Sequence, residues 1–277
     1  MNVLIGRIMA TSAETPTAQD AAEALRWWHE SGVDLALDET PHDRFAAPPP
    51  RPAAPAAAAP PLARAPALVA AATAPNEAAR NAWELAEAAQ TLDELRAALD
   101  SFAGCGLKAT ATQLVFADGA AGSKVMLVGE APGADEDRIG KPFVGKAGQL
   151  LDRMLAAIGL DRTGVYIANV VPWRPPGNRT PTLQETTICL PFIRRQIELA
   201  NPRLLVCMGN SSAQTLLGLK EGITRTRGQV FDYPLSGATI IKAMPMFHPA
   251  YLLRQPAQKR LAWRDWQKLA AMVREGE

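Results

Sequence analysis

The sequence predicts an α/β protein, a three-layer α/β/α sandwich around a central, mainly parallel, four-stranded sheet. Three observations lead there. Short apolar runs stand where strands would, at Lys124–Gly129, Val165–Val171, Arg203–Gly209 and Thr239–Pro249. Stretches of helical period separate them, and strands that alternate with helices are joined by crossovers that favour parallel pairing. The chain has 277 residues, 48% hydrophobic and 21% charged, which is enough to bury one core and carry an appendage.

Three zones follow in order. Residues 1–39 form an accessory segment whose AAEALRWWHESGVDLAL stretch suits a helix ending near Gly32. Its Trp27–Trp28 pair calls for burial, against the rest of the chain or against a partner protein. Residues 40–75 are dominated by Pro and Ala, and proline removes backbone donors and forces extended conformations, so this is a semi-rigid linker. Residues 76–277 are the folded domain. Helical signals at Ala78–Ala88 and Leu92–Phe102 lead in, and KVMLVG is a strand closed by a Gly-Pro turn. GQLLDRMLAAIGL is an amphipathic helix, VYIANVV a second strand and LQETTICLPFIRRQIELA a long helix. RLLVCMG is a third strand, SSAQTLLG opens a short helix, TIIKAMPMFHP is the fourth strand, and Lys259–Arg274 is a closing helix.

Bulk properties exclude several classes. No apolar run approaches the roughly 20 residues that span a bilayer. The opening Met1–Ala10 is short, and no small-residue cleavage site clearly follows a charged start, so a cytoplasmic protein without a signal peptide is expected. The net charge is +1, so any nucleic-acid surface must be a local patch. Cys105, Cys189 and Cys207 are too few and too scattered for a disulfide framework, and read alone as buried small hydrophobes.

In a parallel sheet, ligands bind beyond the carboxyl ends of the strands. After the first strand, Gly129, Pro132 and Gly133 build a tight turn, and Glu130, Asp135, Glu136 and Asp137 crowd one loop. The plain reading of those acids is a solvated turn; a nucleotide site is weaker, because GKAG lacks the full phosphate-loop spacing. After the second, Asn169 interrupts an apolar strand and is either a structural hydrogen-bonder or a reader of a ligand. After the last stands His248, one of three histidines. An isolated His is more often structural, but Tyr251, Leu252, Leu253 and Arg254 follow it as an apolar knob backed by a cation. Such a knob suits a wedge that fills the gap left by an extruded base.

Together and in this order, GEAPGADED, GKPFVGKAGQLLD, VYIANVVPWRPPGNR, ITRTRG and MFHPAYLLR resemble the family 4, thermostable-type branch of the uracil-DNA glycosylase superfamily. The resemblance runs from about Leu107 to the final helix. It implies a monofunctional hydrolase of DNA base excision repair that flips uracil out of DNA and leaves an abasic site. Phe143 would stack on the flipped uracil, and Asn169 would read its edge, accepting from N3–H and donating to O4. Glu136 would crowd uracil C5 and exclude thymine. His248, with the backbone N–H groups of Glu130–Ala131, would meet charge developing on O2. An Asp that positions water in better-known relatives is replaced here by Ala131, which leaves Glu130 as the nearest candidate. Lys146, Arg179 and Arg227 would lie on the DNA backbone, with Leu252 and Leu253 as the wedge and Arg254 behind them. The expected partner is uracil-containing DNA, the expected state a monomer, and no membrane is involved.

Enzymes of this kind usually hold a [4Fe–4S] cluster on four cysteines. Cys105 and Cys189 match two of those positions, but Phe102 and Trp173 stand at the other two, and Cys207 matches none. Two thiolates cannot hold a cubane cluster, so no cofactor and no metal are expected, with packing in the cluster's place. The loop RPPGNRTPT contains no His, so the covalent self-trapping of one relative is not expected either. Two other readings remain: a non-catalytic DNA-binding module on the same fold, and a glycosylase for other deaminated bases such as hypoxanthine or xanthine.

Overall fold

In the computed structural model, the described residues are Ala22 and 75–275. All of the accessory segment but Ala22, and all of the linker but residue 75, lie outside them. Six strands form one sheet in the order β1-β3-β2-β4-β6-β5. They are β1 (Asp118–Gly119), β2 (Val125–Gly129), β3 (Val165–Asn169), β4 (Leu204–Met208), β5 (Phe231–Pro234) and β6 (Ile240–Met246). The four expected strands are the inner four, β3-β2-β4-β6, and all pair in parallel. The sheet is therefore larger than the four strands expected. Both additions are antiparallel edges, β1 on β3 and β5 on β6. Each lacks an apolar run: β1 is an Asp-Gly pair, and β5, FDYP, ends in a proline, which suits an edge.

Both faces of β2, β3 and β4 are buried throughout, and those of β6 from Ala243 on, which explains why they read as apolar runs rather than alternating ones. Met126, Val128, Tyr166, Ala168, Leu205 and Cys207 face one core, packed by α1 (Pro75–Ala88), α2 (Leu92–Ser101), α5 (Leu183–Ala200) and α6 (Asn210–Leu217). Val125, Leu127, Ile167, Val206 and Met208 face the other, packed by α4 (Lys146–Ala156), α8 (Pro249–Arg254) and α9 (Lys259–Glu275). The chain leaves β2 toward the α4 face and β4 toward the α6 face. A crevice therefore opens between the carboxyl ends of these neighbouring strands, the position where such sheets bind ligands.

The acidic loop after β2 is not a solvated turn. Asp135, Glu136 and Asp137 form the first turn of the short helix α3 (Ala134–Ile139), where carboxylates meet the positive end of the helix dipole. Asp137 is buried and accepts from the Thr112 N–H and the Thr112 hydroxyl, both at 2.8 Å.

Candidate active site

A cleft of about 700 Å³ lies at the carboxyl ends of the strands. It brings together Glu130, Ala131, Glu136, Phe143, Asn169, Arg179, His248 and Arg254, which the sequence places far apart.

Gly129 ends β2 between two of these residues. A Cβ there would collide with the Asn169 amide oxygen and meet the Phe143 ring at 2.7 Å, so amide and ring sit side by side against the strand end. Asn169 is 5% exposed, and its side-chain amide lines the cleft. A buried amide costs free energy unless something pairs with it.

Phe143 is buried at the cleft floor with φ +54°, a left-handed conformation that non-glycine residues rarely adopt. Glu136 braces it. Its Oε1 accepts from the Val144 and Gly145 N–H groups, each at 2.9 Å, and its Oε2 accepts from the Gly133 N–H at 3.1 Å. Both oxygens are thus held by backbone donors, while the residue still lines the cleft.

His248 caps the amino end of α8. Its Nδ1 accepts from the Ala250 N–H at 3.1 Å, which assigns the ring proton of the neutral form to Nε2. Burial, with help from the nearby Arg254 cation and against the opposing Glu136 charge, pushes its pKa down to about 4. The imidazole is therefore neutral at pH 7. Its ring stacks on Phe143 at 5.3 Å and 30°. The tight approach of the loop after β4 depends on Gly209, at φ +98°, where a Cβ would meet His248 Cβ at 3.1 Å.

Glu130 is half-buried. Its Oε1 is enclosed and has no hydrogen-bond partner among the described residues. Burial raises its pKa, opposed by a hydrogen bond from Ser211 in the first turn of α6. Ser211 is a cleft residue that sequence reasoning did not single out; its place in the turn after β4, beside the crevice, was the available signal.

The expected DNA contacts divide. Arg179 and Arg254 are exposed at the cleft, although Arg179 is forked onto Glu185 at 2.6 and 2.8 Å. Lys146 is exposed at the start of α4. Arg227 is turned inward: it pairs with Asp265 at 2.5 and 2.8 Å and covers the Phe247 ring at 5.3 Å, so contact with a phosphate would require breaking that pair. Leu252 is fully buried in the α4-side core and is no wedge as it stands, whereas Leu253 is 39% exposed.

The four positions that the family resemblance would give to cluster cysteines pack into one buried cluster. Phe102 stacks on Trp173 at 6.5 Å and 22°, and meets Phe192 edge-on at 5.1 Å, all three rings being buried. Cys105 and Cys189 lie beside them, Sγ to Sγ at 3.9 Å. Among the described residues no group of three or more His, Cys, Asp or Glu side chains gathers as a metal site. Two thiols and a packed aromatic cluster do not fit a four-iron centre.

An aromatic ring, a buried amide and a neutral imidazole donor thus meet in one cleft at the strand ends of a parallel sheet. A family model described as the uracil DNA glycosylase superfamily matches residues 116–270. A type-4 uracil-DNA glycosylase of Thermotoga maritima is 40% identical over 174 residues, 62% of this chain and 88% of that one. Type-4 uracil-DNA glycosylases of Archaeoglobus fulgidus and Sulfurisphaera tokodaii are 38% and 36% identical, each over 66% of this chain and over 94% and 85% of their own. The chain belongs to the uracil-DNA glycosylase superfamily.

Proposed function

We propose that this protein is a monofunctional uracil-DNA glycosylase: it flips uracil out of DNA and hydrolyses the C1′–N1 bond, leaving an abasic site. The observation that carries the reading is the neutral, Nε2-protonated His248 beside the Phe143 ring.

The base stacks on Phe143, a contact worth roughly 1–3 kcal/mol. The Asn169 amide accepts from uracil N3–H and donates to O4, so cytosine, which inverts both roles, leaves it unsatisfied. As the C1′–N1 bond breaks, its electron pair goes to uracil and charge gathers on O2. The Nε2–H of His248 and the N–H groups of the Glu130–Ala131 turn meet that charge without a proton transfer. The deoxyribose becomes oxocarbenium-like, and water adds at C1′. Glu130, with one enclosed oxygen unpaired, orients that water and takes its proton; burial makes it a stronger base than an exposed carboxylate.

Phe102 and Trp173 take the volume of the relatives' cluster, and no step of this chemistry passes through iron. Contacts to the DNA flanking the flipped base come from Arg254 and Leu253 at the cleft mouth, with Arg179 and Lys146 along the backbone. No described helix is long and apolar enough to cross a membrane, and the cytoplasm is the proposed setting. The test is incubation with an oligonucleotide that contains one uracil, followed by alkali. Strand breaks at the uracil support the proposal, and intact single- and double-stranded substrates end it. Uncut hypoxanthine and xanthine oligonucleotides would exclude the broader specificity.

A further inference from the structure

We infer that Arg162, which does not line the cleft, is a positioning residue that sets the Phe143 platform through its main-chain carbonyl. This rests on Phe143 being the surface on which the base stacks.

Phe143 keeps its left-handed backbone because the surroundings impose it. Glu136 holds the amides on its far side. Gly148 has no Cβ, and one there would overlap the Phe143 carbonyl, so α4 closes directly on it. The Arg162 guanidinium supplies the third hold. Its Nη2 donates to the Phe143 carbonyl, and its Nη1 donates to the Pro142 carbonyl at 3.2 Å.

The fork is itself fixed from two other elements. Nη1 also reaches Asp118 in β1 at 2.7 Å, and Nε reaches Asp152 in α4 at 2.8 Å. Asp118 is shared with Lys141, at 3.1 Å, in the segment leading to Phe143. One planar cation thus ties the edge strand, the platform segment and α4 at a single point. The two carboxylates could be paired by any cation in this place. The two carbonyls require a fork with several fixed N–H directions, which arginine has and lysine lacks.

This also accounts for β1. A two-residue edge strand adds little to the sheet, but it delivers Asp118 to the guanidinium.

The test compares wild-type protein with Arg162→Lys, Phe143→Ala and the double variant. Each is measured for thermal midpoint, for excision from a uracil oligonucleotide and for inhibition by free uracil. Lysine keeps the charge beside Asp118 and Asp152 but cannot hold both carbonyls. Arg162→Lys should weaken uracil inhibition about tenfold, the loss expected when one stacking contact is misplaced, with KM raised more than kcat is lowered. On the Phe143→Ala background it should change uracil inhibition no further. Uracil inhibition equal to wild type, or an equal added loss on that background, overturns the inference. If Arg162→Lys does not fold, Asp152→Asn loosens the same guanidinium from an exposed carboxylate and should shift uracil inhibition in the same direction; no shift overturns the inference. A wild-type protein that leaves uracil in place fails the underlying reading and this inference with it, whereas an active wild type with an unaltered Arg162→Lys fails the inference alone.

Discussion

The Phe143 ring and the His248 imidazole stack at 5.3 Å and 30° across the head of the cleft. The ring that would carry the base and the donor that would meet its charge are therefore set against each other before any ligand arrives. Each is also held from outside the contact, Phe143 through its left-handed backbone and His248 through its N-cap bond to Ala250. Such preorganisation is the condition under which a hydrogen-bond donor accelerates a reaction, because no reorganisation is needed as charge develops.

His248 fixes a pH dependence. Its pKa in the fold is about 4, below the ordinary 6.5 of an unfolded chain. The folded state thus favours the neutral ring, and the stability this contributes is complete above pH 6.5. Below that the unfolded chain takes up a proton that the folded one refuses, and the contribution is lost as pH falls toward 4. His248→Asn keeps a capping side chain but does not titrate. The thermal midpoint of the wild type should therefore fall more steeply between pH 7 and pH 4.5 than that of the variant; parallel curves would contradict the assignment. His248→Ala should slow excision on the order of a hundredfold or more at pH 7, which single-turnover kinetics would read.

Asn169 is the base reader in the proposed mechanism, and its amide, buried at the cleft, sets the expected cost. Asn169→Ala should slow excision on the order of a hundredfold with little loss in thermal midpoint. A variant as fast as wild type would remove the base-reading role.

Glu136 carries a structural prediction beside its expected role at uracil C5. Its carboxylate caps three backbone N–H groups, so Glu136→Ala leaves those donors without an acceptor and should cost about 2 kcal/mol of stability. Uracil inhibition should weaken as Phe143 loosens. Thymine release by this variant from a mismatched duplex would support the residue as a steric gate at C5, and thymine left uncut would remove that role.

Much of the fold was legible because β2, β3 and β4 are buried on both faces and α5 carries its own signals. Thr182 and Glu185 form a capping box at its start, and Asn201, left-handed with φ 46°, ends it. The long helix was bounded correctly for that reason. The edge strands were not legible, since Asp118–Gly119 and FDYP carry no apolar period and are placed by their neighbours. That Glu130, Asn169 and His248 meet in one cleft was foreshadowed by their places at strand ends, where turns and odd polar residues mark them, whereas Phe143, between α3 and α4, came only with the family resemblance. Tertiary pairing was hidden: nothing local distinguishes Arg227, drawn in by Asp265, from Arg254 at the cleft, or buried Leu252 from exposed Leu253.

The aromatic packing around Cys105 and Cys189 leads to a prediction about metal. Phe102 and Trp173 are each no more than 2% exposed and stack on each other, so they act as core rather than as a vacant site. Purified protein should carry no stoichiometric iron by elemental assay, and near four irons per chain would refute this. Cys105→Ser and Cys189→Ala should leave excision within about twofold of wild type, because neither thiol lines the cleft. Restoring cysteines by Phe102→Cys with Trp173→Cys removes two buried rings. Without iron, that double variant should be destabilised by at least about 3–5 kcal/mol, the cost of truncating even one large core aromatic. If it is as stable as wild type, the rings are not substituting for a cluster, because a core built on them cannot lose both at no cost.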